Sequence, residues 1–167
     1  MFKFNKVTDL SQVQQIAEIA QIVFNEIYTP YTPIDFVADY INTHQSVAAI
    51  QKQIEKEDFS YFLLESENEV LGYLGIQTNE HTLHISKLYI LKQFRNQQYG
   101  KKAMIFINKY ASKNNSQEIH LEVSKQNEKA IAFYKKDGFK ITDSIIYLHH
   151  DNQKIIDYLM VKSTHQL

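Results

Sequence analysis

Cysteine and tryptophan are absent from this 167-residue chain, and glycine (four), proline (two) and arginine (Arg95 alone) are scarce. Without cysteine there is no disulfide framework, no thiolate nucleophile and no Cys-ligated zinc. The longest stretch free of Asp, Glu, Lys and Arg is the twelve residues Tyr40–Gln51, too short to span a membrane. The opening MFKFNKVTDLSQVQQ has no apolar run ahead of a small-residue cleavage site, so a cytoplasmic chain without a signal peptide is expected. No repeat or Gly/Ser linker interrupts the chain, and its length suits one domain, 1–167. The four glycines, Gly72, Gly75, Gly100 and Gly138, are few enough that each is expected to mark a required backbone geometry. For Gly72 and Gly75, which share one strand, that geometry is expected to be a bend.

What the chain does have is charge, unevenly spread. The net charge of −1 hides a first part, residues 1–80, at −8 and a second, residues 81–167, at +7. Lys87 to Lys113 holds seven basic residues, including Arg95, and no acid. Such asymmetry is either a pair of solvated faces or a division between a region that meets an anion and one that meets a cation.

Hydrophobic spacing predicts helices over Ser11–Tyr28, with Asp9 or Ser11 as N-cap, over Pro33–Ile41 and over Ser46–Glu57. From residue 59 the period becomes that of strands: Phe59–Glu65 and Val70–Thr78 joined by a hairpin turn at SENE, then Thr82–Leu91. A helix is predicted from about Gln98 to Lys113, a strand over Glu118–Val123 with Ile119, Leu121 and Val123 inward, and a helix over Asn127–Asp137. Gly138 suits the residue after that helix, and strands over Lys140–Leu148 and Ile155–Val161 complete a mixed α/β sheet.

The chemistry concentrates at LYILKQFRNQQYGKK, where a strand ends, a polar loop follows and a helix starts with Lys101 and Lys102. The first N–H groups of a helix lack intrahelical partners and suit phosphate oxygens. Cations in the first turn oppose the helix dipole unless an anion sits there, although a solvated helix start is the plain alternative. Downstream, in LEVSKQNEKAIAFYKKDGF, Asn127 suits a helix cap and Phe133 and Tyr134 suit a core.

Together these two segments resemble the GNAT family of N-acetyltransferases. The family's acetyl-CoA loop reads [R/Q]-x-x-G-x-[G/A] after a strand, and Arg95-Asn96-Gln97-Gln98-Tyr99-Gly100 fits it except at Gln98. Its downstream pattern is matched by Leu121, Val123, Asn127, Ala130, Tyr134, Gly138 and Phe139. Within the family the similarity is nearer to PaiA-type polyamine acetyltransferases, whose NEKAIAFYKKxGF and D-x-x-M strand resemble Asn127–Phe139 and Asp157–Met160. The resemblance implies the GNAT fold, a mixed central sheet with a splayed parallel strand pair flanked by helices. Residues 1–58 would form a helical acceptor-side region and 59–162 the acetyl-CoA-binding core.

The roles follow from the same resemblance. The backbone of Leu88, Tyr89 and Ile90 would bind the pantetheine. The N–H groups of Arg95, Asn96, Gln97, Gln98, Tyr99, Gly100, Lys101 and Lys102 would hold the pyrophosphate, with the Arg95 side chain adding charge. Gln98, where a glycine is usual, is expected to keep φ < 0 and still donate its N–H. Asn127 would touch the cofactor arm, and Tyr134 would protonate the departing thiolate. The strand positions that often carry glutamates are His84 and Ser86 here. His84 is therefore the first candidate base, its imidazole titrating near neutrality, and Glu122 the reserve. No metal is implied.

On the acceptor side, Glu26, Asp35 and Asp39 beside Tyr28, Tyr31, Phe36 and Tyr40 suit a cationic amine. The function expected is acetyl transfer from acetyl-CoA to a primary amine, best a polyamine or similar small amine, by direct attack in a ternary complex. The alternatives are a catalytically weak acyl-CoA-binding or sensor protein and a protein or peptide N-acetyltransferase. No membrane is implied as a partner, a homodimer through the last strands is compatible, and nucleic acid is disfavoured because the basic run spans a strand and a helix and forms no arm.

Overall fold

The computed structural model of the protein describes residues 1–56, 58–149 and 152–164. Their strands are β1 (Lys3–Lys6), β2 (Phe59–Ser66), β3 (Glu69–Thr78), β4 (Thr82–Ile90), β5 (Glu118–Ser124), β6 (Lys140–Leu148) and β7 (Lys154–Ser163). The helices are α1 (Leu10–Tyr28), α2 (Ile34–His44), α3 (Val47–Ile54), α4 (Tyr99–Lys113) and α5 (Glu128–Lys136). The sheet order is β1-β2-β3-β4-β5-β7-β6, with β4 and β5 parallel. This is the mixed α/β architecture expected. The backbone groups into two compact units, Met1–Gln77 with Ser86–Lys101 and Thr78–Ile85 with Lys102–Leu167. The boundaries fall within β3, β4 and α4.

In the first unit, α1 starts where Asp9 closes a capping box: its Oδ1 accepts from the Gln12 N–H at 2.9 Å, and Gln12 Oε1 accepts back from the Asp9 N–H. The helix then buries Val13, Ile16, Ile19, Ala20, Val23 and Phe24 in a core shared with Val37, Ile41, Ile50, Leu63 and Tyr73. α2 runs three residues beyond the predicted end, and Gln45, its C-cap, explains why. The buried Gln45 amide accepts from the Tyr73 hydroxyl at 2.6 Å and donates to the Tyr61 hydroxyl at 3.1 Å, while Tyr61 donates to Gln53 at 2.7 Å. These bonds satisfy two buried phenols, whose ionisation burial pushes well above the ordinary tyrosine range. α3 is capped by Ser46, as expected, but stops at Ile54; Glu57, the predicted end, lies outside the described residues.

The short β1 was not legible as a strand, because four residues flanked by lysines give little periodicity. It exists through its partner, pairing Lys3–Lys6 with Glu65–Phe62 of β2. The β2–β3 turn narrows to Glu67 and Asn68, both left-handed (φ 52° and 69°), the geometry that suits a two-residue hairpin.

Gly75 provides space, where a bend was expected, whereas Gly72 provides both, since it flanks Leu71, the extra residue of a bulge in the β2–β3 ladder. A Cβ on Gly72 would run into the Tyr89 carbonyl oxygen and lie 2.9 Å from Ile90 Cα, and one on Gly75 would lie 2.9 Å from the Tyr61 ring. Gly72 thus lets the end of β4 press against β3, where the Leu91 N–H donates to Leu71 O at 2.9 Å.

In the second unit, the parallel ladder runs only from Thr82↔Glu118 to Ile85↔Leu121, although both strands are longer. Leu83, Ile85, Ile119, Leu121, Val123 and Met160 are buried on one face. Lys162, opposite Ile119 in β7, reaches Asp137 at the end of α5 (2.9 Å) and Asn108 of α4 (3.3 Å), so both helices cover that face. Gly138, at φ 98°, ends α5 as expected, and the Phe139 N–H returns to Tyr134 O at 3.1 Å.

Replacing Gly72 with alanine is expected to cost about 2–3 kcal/mol, because backbone atoms cannot yield, whereas Gly75→Ala should cost less, since a ring can shift. Urea unfolding of the two variants measures this, and equal losses would contradict it.

Candidate active site

β4 carries its chemistry on two faces. Lys87 and Tyr89 share one, and in the first unit they meet an aromatic cluster from α1 and α2. The Tyr28 and Tyr89 hydroxyls are 2.7 Å apart, and the Phe24 ring lies 5.0–5.4 Å from those of Tyr28, Tyr40 and Tyr89. Lys87 Nζ donates to the Tyr40 hydroxyl (3.0 Å), to Ser86 O (3.0 Å) and to Ser86 Oγ (3.3 Å), 5.4 Å from the Tyr40 ring centre. Burial, and then the Lys87 charge, hold His44 below the ordinary imidazole range. Tyr40, one of the four aromatics expected to receive a cationic acceptor, therefore already has a resident ammonium. Nothing in the sequence joined Lys87 to Tyr40, which are 47 residues apart.

The Arg95 guanidinium meets the Glu26 carboxylate. The guanidinium was expected to add charge for phosphate, and Glu26 to face a cationic acceptor. Arg95 Nη1 and Nη2 donate to the two oxygens of Glu26 at 2.7 and 3.2 Å, and Nε donates to Ile90 O at 2.8 Å. The Ile90 carbonyl, expected to serve pantetheine, thus already accepts one bond. The Arg95 N–H closes a 3-10 turn over Lys92–Phe94 by donating to Lys92 O at 3.2 Å, so it is spent locally. Asp35 is occupied too, accepting from the Phe36 N–H at 3.0 Å.

The structure does correct the expectation for Gln98, which adopts φ 65°, with Asn96 at φ 63°; α4 accordingly begins at Tyr99. The expected φ < 0 is wrong, because the turn from β4 into α4 needs the left-handed region even without glycine. Each such residue costs about 1–2 kcal/mol, and strain of this kind persists where surrounding structure holds it, often at functional sites. Left-handed residues alternating with ordinary ones curl successive N–H groups into an anion-binding concavity. The first turn of α4 has no acidic residue and carries Gly100, Lys101 and Lys102.

The remaining candidates lie in the second unit. His84, half-buried on β4, stands opposite His120 of β5. With Glu122 they share the face away from Leu83 and Ile119. His120 Nε2 is 2.8 Å from Glu118, and Glu122, which is exposed, accepts from the Tyr147 hydroxyl at 2.9 Å. Asn127 caps α5, its Oδ1 accepting from the Ala130 N–H at 3.2 Å, which leaves the amide NH2 for other work. Tyr134 is 8% exposed, its ring centre 5.6 Å from that of Phe139, and burial raises its phenol well above the ordinary range. It remains a proton donor throughout the physiological range. Since α5 covers the Ile119 face, the candidate acid and the candidate bases lie on opposite faces of the β4–β5 ladder.

These elements describe a mixed α/β protein built around a strained strand-to-helix turn. A profile of the acetyltransferase (GNAT) family matches residues 15–139, and the chain belongs to that family. It is 19% identical over 139 residues to the spermidine N(1)-acetyltransferase of Thermoplasma acidophilum, across 81% of this chain and 86% of that protein. It is 26% identical over 165 residues to an N-alpha-acetyltransferase of Sulfurisphaera tokodaii, across 90% and 87%. The fold matches that of the PaiA N-acetyltransferase of Thermoplasma acidophilum, crystallised with coenzyme A, at TM-score 0.82 and 18% identity over 98% and 99% of the two chains.

Gln98→Gly is expected to raise stability by about 0.5–1 kcal/mol, because relief of left-handed strain exceeds the entropy that glycine adds to the unfolded chain. Thermal unfolding reads this, and a lower midpoint would show that Gln98 earns its place through side-chain contacts.

Proposed function

We propose that the protein transfers the acetyl group of acetyl-CoA to a primary amine of a small cationic acceptor such as a polyamine, by direct attack in a ternary complex. The observation that carries the cofactor half is the loop at Asn96–Gln98, where two strained non-glycine residues precede an acid-free helix start. That donor set fits a pyrophosphate: the N–H groups of Asn96 to Lys102 hold it, and Lys101 and Lys102 add positive charge. Acetyl-CoA supplies an acyl carbon activated as a thioester.

The residues then have separate tasks. Tyr89 and its neighbours at the end of β4 offer backbone groups to the pantetheine, and Asn127 offers its amide NH2. His84, or Glu122 in reserve, removes a proton from the attacking ammonium, directly or through water; these bases lie across the β4–β5 ladder from Tyr134, and the amine meets the thioester where that ladder stops, beyond Ile85↔Leu121. Tyr134 gives its proton to the sulfur as the carbon–sulfur bond breaks and the carbon–nitrogen bond remains. The spermidine N(1)-acetyltransferase relative supports the polyamine reading, as does Asp39 on α2. A second reading, the α-amine of a peptide, is favoured by Lys87 on the Tyr40 ring and by the neutralisation of Glu26, and by the N-alpha-acetyltransferase relative.

Release of free CoA across polyamines, peptides, amino acids and aminoglycosides separates these readings. Turnover of peptides alone would overturn the polyamine assignment, and CoA binding without turnover of any amine would favour a sensor. Tyr134→Phe is expected to lower kcat by about 10²–10⁴-fold. Because the Tyr134 phenol ionises only above its ordinary range, a wild-type rate measured up to pH 10 should show no loss from this group. The same shift makes folding weaken only as pH rises beyond the unfolded tyrosine value near 10.

A further inference from the structure

The Arg95 guanidinium belongs to the region read above as the cofactor loop, yet its hydrogen bonds go to Glu26 and Ile90. Three donors form one clamp: two on the Glu26 carboxylate, in the last turn of α1, and one on the carbonyl of Ile90, the last residue of β4. The two side chains are about one-third exposed (31% and 28%), so the pair is screened but not fully hydrated. Bidentate geometry fixes direction as well as distance.

Arg95 is followed immediately by the left-handed Asn96, and two residues later by the left-handed Gln98. A segment in this conformation reverts unless neighbouring contacts hold it. Among its other contacts, Gln97 Nε2 donates to Gln93 O at 3.1 Å within the turn, and the Tyr99 ring packs 5.2 Å from that of Phe2. The Arg95 fork ties the base of the loop to both a helix and a strand.

We infer that Glu26 is a positioning residue for the cofactor loop: it draws the Arg95 guanidinium onto the end of β4, so that Arg95 sets the left-handed shape of residues 96–98 and does not bind phosphate itself. This rests on the reading of 96–102 as the pyrophosphate cradle. Glu26 thereby belongs to cofactor binding and not to acceptor recognition. Two families of expectation separate these roles. If Arg95 is a phosphate ligand restrained by Glu26, removing the Glu26 charge releases it and tightens CoA binding. If the pair is a clamp, removing either partner loosens the loop, and removing both does little more than removing one.

The test compares the wild type with Glu26→Gln, Arg95→Gln, the double variant and the conservative Glu26→Asp. Amide hydrogen exchange of residues 96–101 in the protein without CoA should quicken about tenfold in both single variants and no further in the double. Calorimetry with CoA should show each single variant weakened about tenfold, and steady-state rates should show a higher KM for acetyl-CoA with kcat within about twofold. Glu26→Asp should recover most of both effects. Unchanged exchange in Glu26→Gln, or CoA bound more tightly by it, would overturn the clamp. If Arg95→Gln does not fold, the two Glu26 variants still decide. If the wild type binds no CoA, the functional reading fails while the exchange comparison continues to test the clamp.

Discussion

The turn from β4 into α4 is the constraint on which the candidate site depends. In residues 91–98 an extended chain must leave the sheet, reverse its local geometry and present the start of a fifteen-residue helix. Three features make this possible in the first unit. Gly72 has no Cβ to meet the Tyr89 carbonyl, so the end of β4 lies close against β3. Asn96 and Gln98 accept left-handed backbone. Arg95 joins Ile90 to Glu26. The first is a gain in space, the second a conformational cost and the third the contact that offsets it.

Burial governs the chemistry of the phenols in both units. Tyr61, Tyr73 and Tyr89 are held neutral by their surroundings, and Tyr134 likewise, but their uses differ. Tyr61 and Tyr73 are satisfied by Gln45 and Gln53 and serve the core. The Tyr28 and Tyr89 hydroxyls share one hydrogen bond. Tyr134 combines suppressed ionisation with a place on a helix whose cap, Asn127, is itself a polar candidate. In Tyr134 that burial keeps the phenol protonated and also makes it a weaker acid than an ordinary tyrosine.

The elements written in periodicity were readable in advance. The apolar stripe of α1, the Ser46 cap, the inward face of β5 and Gly138 after α5 depend on neighbours within a few residues, and each was found where spacing put it, while of the two caps offered for α1 the structure uses Asp9. The signature from Asn127 to Phe139 pointed to the acetyltransferase family for the same reason, since its residues are arranged by one strand–helix turn. β1, the spacing role of Gly72 and the left-handed Gln98 were not readable, because each answers to a partner or a closure distant in sequence.

The charge split shows the boundary most directly. By itself the sequence determined that the first eighty residues are acidic, that the basic run from Lys87 to Lys113 contains the single arginine, and that a loop, a helix start and a tyrosine occur at family spacing. Only the tertiary structure decided that Arg95 spends its charge on Glu26, 69 residues away, and that Lys87 lies against Tyr40, 47 residues away. Charge along a chain is a property of composition, whereas pairing depends on distances of about 3 Å, which only packing sets.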